Sequence, residues 1–204
     1  MTMKQKLTIG GLSLVLSLVS MPVLSQALRE PYESSVDSSL AHAFALTVAT
    51  QQIEYLRKRY ARATDQIGTN TKEGIAGGRE IYRQIFTPDV KISASNGVDS
   101  ELFVAHGPDA WVDVAASALQ VFDATQHLIG TQLVAIDQLP DANGQGGHAT
   151  MTSYLQAWHS DPDRVLDIYI GTYHDKVRYL PGVGWQIYEM HLEKVSGEVT
   201  PQVR

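Results

Sequence analysis

Over residues 127–195 the chain consists of four long strand-like stretches parted by three short turns, and an extended antiparallel sheet is what absorbs so much strand in succession. Residues 127–139 are rich in β-branched side chains, and Asp141-Ala142-Asn143-Gly144-Gln145-Gly146-Gly147 breaks the run. Residues 148–159 and 165–179 are the next two strands, separated by Ser160-Asp161-Pro162-Asp163. Pro181-Gly182-Val183-Gly184 then leads into a last strand over 185–195. Such a sheet has an apolar face that must be covered.

The first part of the chain supplies the cover. A helical pattern spans 37–67, with Ile53, Leu56, Tyr60 and Ile67 at helical spacings. Gly68-Thr69-Asn70-Thr71 stops it, and a second helix restarts near Thr71 with a stripe of Ile75, Ile81, Tyr82, Ile85 and Phe86, ended by Thr87-Pro88-Asp89. Residues 90–95, Asn96-Gly97 and residues 101–105 read as a hairpin. Gly107-Pro108-Asp109 opens a third helix whose apolar face is Trp111, Val114, Ala115, Ala118, Leu119 and Phe122. The order helix, helix, hairpin, helix, four strands predicts one α+β domain over residues 37–197, its curved sheet wrapped around helices with a cavity at one end. Phe86, Trp111, Leu119, Leu155 and Trp185 are its expected core, and Trp111 also faces the cavity.

The N-terminus reads as a targeting segment. Lys4 and Lys6 precede an apolar stretch from Leu7 to Leu24, and Ser25-Gln26-Ala27 places small residues where a signal peptidase reads them. A signal peptide over 1–27, a linker over 28–36 and a C-terminal tail over 198–204 are expected; the alternative is an uncleaved anchor, which Gly10, Gly11 and Pro22 disfavour. Cleavage leaves 14 basic and 22 acidic residues, a formal charge of −8. That balance argues against nucleic acid and against an anionic membrane as partner. The basic run Arg57-Lys58-Arg59 with Arg62 reads as a solvated helix face. An exported chain without cysteine has no disulfide, no thiol nucleophile and no cysteine metal ligand.

Three of the seven histidines fall on successive strands: His127 at the start of the first, His159 at the end of the second and His174 within the third. Antiparallel order puts the start of one strand beside the end of the next, so His127 and His159 share one end of the sheet. A histidine pair at a cavity mouth suits acid–base work near neutral pH. His42, His106 and His148 read as surface residues, and His191 as a satisfied one. The acid of interest is Asp65. It lies off the stripe through Ile53, Leu56 and Tyr60, and faces the cavity if Ala61 belongs to the buried side.

Tyr60-Ala61-Arg62-Ala63-Thr64-Asp65, Ile85-Phe86-Thr87-Pro88-Asp89, Gln126-His127-Leu128-Ile129-Gly130, Gly171-Thr172-Tyr173-His174-Asp175 and Gly184-Trp185-Gln186-Ile187 follow one another in an order that resembles the SnoaL-like group of the nuclear transport factor superfamily. Within it the chain is similar to scytalone dehydratase and hexachlorocyclohexane dehydrochlorinase, over about residues 45–195. The resemblance implies a cone-shaped curved mixed sheet with an apolar pocket, an Asp–His pair matching Asp65 and His127, and a second histidine matching His159. It also implies a Ser and an Asn on the next strand, which fall on Thr172 and His174. The tyrosines that bind scytalone's carbonyl are unmatched, Thr64 and Ala94 standing there; Tyr60 is an alternative phenol one turn earlier.

Two functions fit. One is a lyase or isomerase needing no cofactor, in which His127 takes a proton from carbon, Asp65 orients and stabilises the imidazole, and His159 donates to the oxygen, with Tyr60, Trp111, Thr172 and His174 binding a small apolar or aromatic substrate. The other is an exported binding protein with the same pocket and no turnover. Hydrogen-bond reach between Asp65 and His127 separates them. A metal site from His127, His159, His174 and Asp65 is a third reading, without a compact ligand motif to carry it. A homodimer is expected by analogy with the fold.

Overall fold

A computed structural model describes residues 23–96, 101–163 and 165–201. Two compact units divide the chain, Met1–Ala41 and His42–Arg204, and apart from the first part of one helix the features below belong to the second. Most of the expected signal peptide lies outside the described residues. Helix α1 spans Val23–Ile67, so the stretch 28–36, expected as a linker, is helical, Pro31 included.

Local signals account for most element boundaries. Helix α2 (Lys72–Ile85) starts behind Thr71, whose side chain accepts from the Gly74 amide at 3.0 Å. Phe86 already opens strand β1 (Phe86–Ser95). Pro88 is tolerated there because pairing with β2 (Glu101–His106) begins only at Lys91, and the register with the last strand of the chain shifts between Phe86 and Lys91. After α3 (Pro108–Leu119) come β3 (Ala124–Gln138), β4 (His148–Ser160), β5 (Val165–Leu180) and β6 (Gly184–Pro201). The last strand runs past the expected domain end: Thr200 and Pro201 pair with Leu166 and Val165.

The six strands lie in the order β2-β1-β6-β5-β4-β3, β1 and β6 parallel and the rest antiparallel. This is a mixed α+β sheet with α1, α2 and α3 supplying the helical side of the core. Ile53, Leu56, Tyr60, Ala63 and Ile67 of α1 are buried with Tyr82, Val112, Met151, Tyr173 and Ile187. Phe86, Trp111, Leu119, Leu155 and Trp185, the expected core, are between 0% and 6% exposed.

Arg57 departs from the expected solvated face. It is fully buried, ion-paired with Asp175 of β5, and its Nη1 donates to Met190 Sδ at 3.3 Å. Its guanidinium carbon lies 3.8 Å from the Tyr173 ring centroid and 4.5 Å from that of Tyr60. The cause is helical spacing: Arg57 stands four residues from both Ile53 and Ala61, and both are buried. Burial pushes the Asp175 carboxyl up, and the Arg57 charge opposes that.

Candidate active site

The site begins at the end of α1. Ala61 is buried, so the covered sector of the helix reaches Asp65 one turn on. Gly68 then lets the end of the helix touch β3: a Cβ there would stand 2.1 Å from Thr125 Cγ2. That close approach brings Asp65 to His127. Asp65 Oδ1 accepts from the His127 backbone amide at 3.0 Å and lies 2.8 Å from its ring Nδ1. β3 is an edge strand, which leaves an outward-facing amide free for the carboxylate. An ionised carboxylate only accepts, so Nδ1 carries the proton and Nε2 presents its lone pair.

β4 brings the second histidine. His127 pairs with Ala157 and Thr125 with His159, which makes the two histidines diagonal neighbours on one face. Their ring centroids are 5.7 Å apart and their planes 69°. His159 is 7% exposed, and its Nε2 has no hydrogen-bond partner among the described residues. Its ring stacks on Phe122 at 4.7 Å. Burial, aided by the neighbouring His127, pulls this imidazole down to about 4. It is therefore neutral at physiological pH and donates, if it donates, from a neutral N–H.

Both histidines line a cavity of ≈ 240 Å³ together with Tyr60, Thr64, Trp111 and Tyr173. Away from the histidines, Trp111 Nε1 donates to Tyr60 Oη at 3.2 Å, and Thr64 Oγ1 shares a hydrogen bond with Tyr82 Oη at 2.6 Å. Tyr169 is also on the wall, and burial pushes its phenol up to about 12. None of the described residues lining the cavity is Lys or Arg, so nothing there compensates an anionic ligand.

His127, His159, Tyr60 and Trp111 thus meet at one cavity, with Asp65 bonded to His127 behind its wall, whereas Thr172 and His174 do not. On β5 the buried residues are Gly171, Tyr173, Asp175 and Val177, so strict alternation turns Thr172 and His174 to the other face of the sheet. Thr172 lines a groove there with Leu128 and Tyr154. His174 bonds Glu193 at 3.2 Å. Counting along a family pattern missed by one residue, which in a strand exchanges the faces. The residue of that segment at the cavity is Tyr173. Its signal was the charged Asp175 two positions on, which shares its face and answers the buried Arg57. The same placement removes His174 from any metal set with His127, His159 and Asp65. Among the described residues no three His, Cys, Asp or Glu side chains gather as a metal-binding group. His191 is satisfied as expected, its ring nitrogens 2.8 and 2.9 Å from the Ser93 and Ser95 hydroxyls.

Comparison with known proteins gives the same frame. The model of a SnoaL-like domain family matches residues 48–191. No curated protein sequence matches the chain. Among solved structures, a protein of Kribbella flavida is similar at 18% identity over 75% of this chain and 95% of that one, with a TM-score of 0.58. A protein of Novosphingobium aromaticivorans provisionally assigned as a scytalone dehydratase is 21% identical over 79% of this chain and 93% of its own, TM-score 0.55. A hexachlorocyclohexane dehydrochlorinase of Novosphingobium barchaimii is 8% identical over 79% and 97%, TM-score 0.60. At such identities the likeness is one of fold.

Proposed function

The chain belongs to the SnoaL-like domain family, and on that premise we propose that it is a lyase or isomerase of the dehydratase kind, acting on a small, neutral, largely apolar molecule with acid and base groups of its own. The observation that carries this reading is the double acceptance by Asp65 of the His127 amide and ring N–H. It fixes the tautomer that leaves Nε2 as a base at the cavity. His127 takes a proton from carbon, Asp65 stabilises the imidazolium that forms, and neutral His159 offers a hydrogen bond to the oxygen that gains or loses charge. The same contact weighs against binding without turnover, for which an oriented base has no use.

The substrate class follows from the walls. Apolar and aromatic side chains dominate, polar atoms come from Thr64, Asn96, His127, His159 and the tyrosines, and no Lys or Arg is among the described lining residues. The test is turnover across a panel of cyclic ketones, alcohols and alkyl halides of that size. His127→Ala should abolish it, Asp65→Asn should cost nearly as much, and His159→Ala less. Undiminished turnover in His127→Ala contradicts the reading. Export is proposed with it: intact-mass analysis of the native protein should find Leu28 first, and an intact N-terminus in the membrane fraction would overturn that.

A further inference from the structure

One wall of the histidine pair is fixed from the turn that follows α1. Asn70 closes the turn between α1 and α2 in the left-handed region, φ 56°, where asparagine is among the few tolerated side chains. Its amide reaches across: Nδ2 donates to the Phe122 carbonyl at 3.0 Å and to the Leu119 carbonyl at 3.4 Å. These carbonyls bracket the turn from α3 to β3. Two further bonds shape the turn, Phe122 N to Leu119 O at 3.1 Å and Asp123 N to Ser160 O at 2.8 Å. Phe122, carried on it, lies on the His159 imidazole with ring centroids 4.7 Å and planes 22° apart. His127 meets the same imidazole edge-on.

We propose that Asn70 is a positioning residue for the histidine pair: its amide clamps the α3–β3 turn so that Phe122 is pressed onto His159 and holds that ring dry and fixed beside His127. Asn70 touches neither histidine. It acts through two backbone carbonyls, which require a donor, so a carboxylate at this position cannot replace it. The functional meaning rests on the acid–base reading above, while the clamp itself does not. The charged groups that act on His159 are Asp65 on α1, His127 on β3 and Asp167 on β5, and Asn70→Gly alters none of them.

The test follows the His159 ring C–H signals by NMR as pH is lowered. Asn70→Gly keeps the left-handed turn and removes the amide; Asn70→Asp, read at high salt so that its added charge is screened, keeps the shape and removes the donor. In both, the His159 titration should move up from near 4 toward 6.5, by about one unit, as water reaches the ring. Phe122→Ala should do the same, and combining it with Asn70→Gly should add nothing, as expected of two steps in one chain of contacts. A merely structural Asn70 would lower the thermal midpoint and leave the His159 titration in place, and that result overturns the clamp. A shift in Phe122→Ala with none in either Asn70 variant overturns it as well. Turnover surviving in His127→Ala would sink the acid–base reading and leave the titration result standing, so the two fail separately.

Discussion

His159 is the residue whose behaviour differs most from that of an ordinary histidine. Held near 4 in the fold and titrating near 6.5 when unfolded, it binds its proton more readily in the unfolded chain. Its contribution therefore costs nothing above about 6.5, and stability is lost as pH falls from there toward 4. Urea melts of His159→Phe should show a shallower loss over that window than the wild-type protein; parallel profiles would contradict the burial. The same shift shapes the activity profile. His159, already neutral, supplies no descending limb to it. A bell with its upper arm abolished in His159→Ala would show that a charged His159 is required. On the far face of the sheet, Thr172→Val and His174→Gln should leave turnover within about twofold, as expected of surface changes away from the site.

At the scale of elements, the contacts that matter join helix to strand. Gly68→Ala places a methyl against Thr125 and should push the end of α1 off β3. Overpacking of this kind costs about 1–3 kcal/mol, and because Asp65 rides on the same turn, turnover should fall further than stability alone explains. Unchanged turnover would mean that the Asp65–His127 contact survives the displacement. Asp175→Asn leaves Arg57 charged and buried, with an expected loss of about 3–5 kcal/mol in urea unfolding. Arg57→Met combined with Asp175→Leu should recover much of it, since an apolar pair of similar volume is often no worse. Loss as large in the double variant as in Asp175→Asn would mean that the pair does more than fill space.

Across the whole molecule, what was legible in the sequence is what is encoded locally. Thr71 caps α2, Gly107-Pro108 opens α3, and the turns at 141–147 and 181–184 separate strands that the sheet pairs in order. The antiparallel rule put His127 and His159 together because it needs only the sequence of strands. Arg57 was misread because its partner lies 118 residues away, beyond any helical or strand period. Thr172 and His174 were misplaced because a family pattern specifies a segment while the pleat decides the face. Residues 28–36 and 198–201 carry the composition of loops, yet the first is continuous with a helix and the second is paired with β5. In the second stretch, strand pairing overrides weak local preference.

On the proposed reading, the Asp65–His127 pair removes a proton from carbon. That step is tested most directly by incubating the protein with 1-tetralone in D₂O and following loss of the α-proton signal by NMR, which needs no knowledge of the natural substrate. The wild-type protein should exchange that proton, with His127→Ala slower by roughly 10²–10⁴-fold, the usual contribution of a positioned base. Asp65→Asn should fall nearly as far while 1-tetralone still binds. Exchange by His127→Ala at the wild-type rate, or no exchange above the buffer rate by a wild-type protein that binds the ketone, would contradict the account.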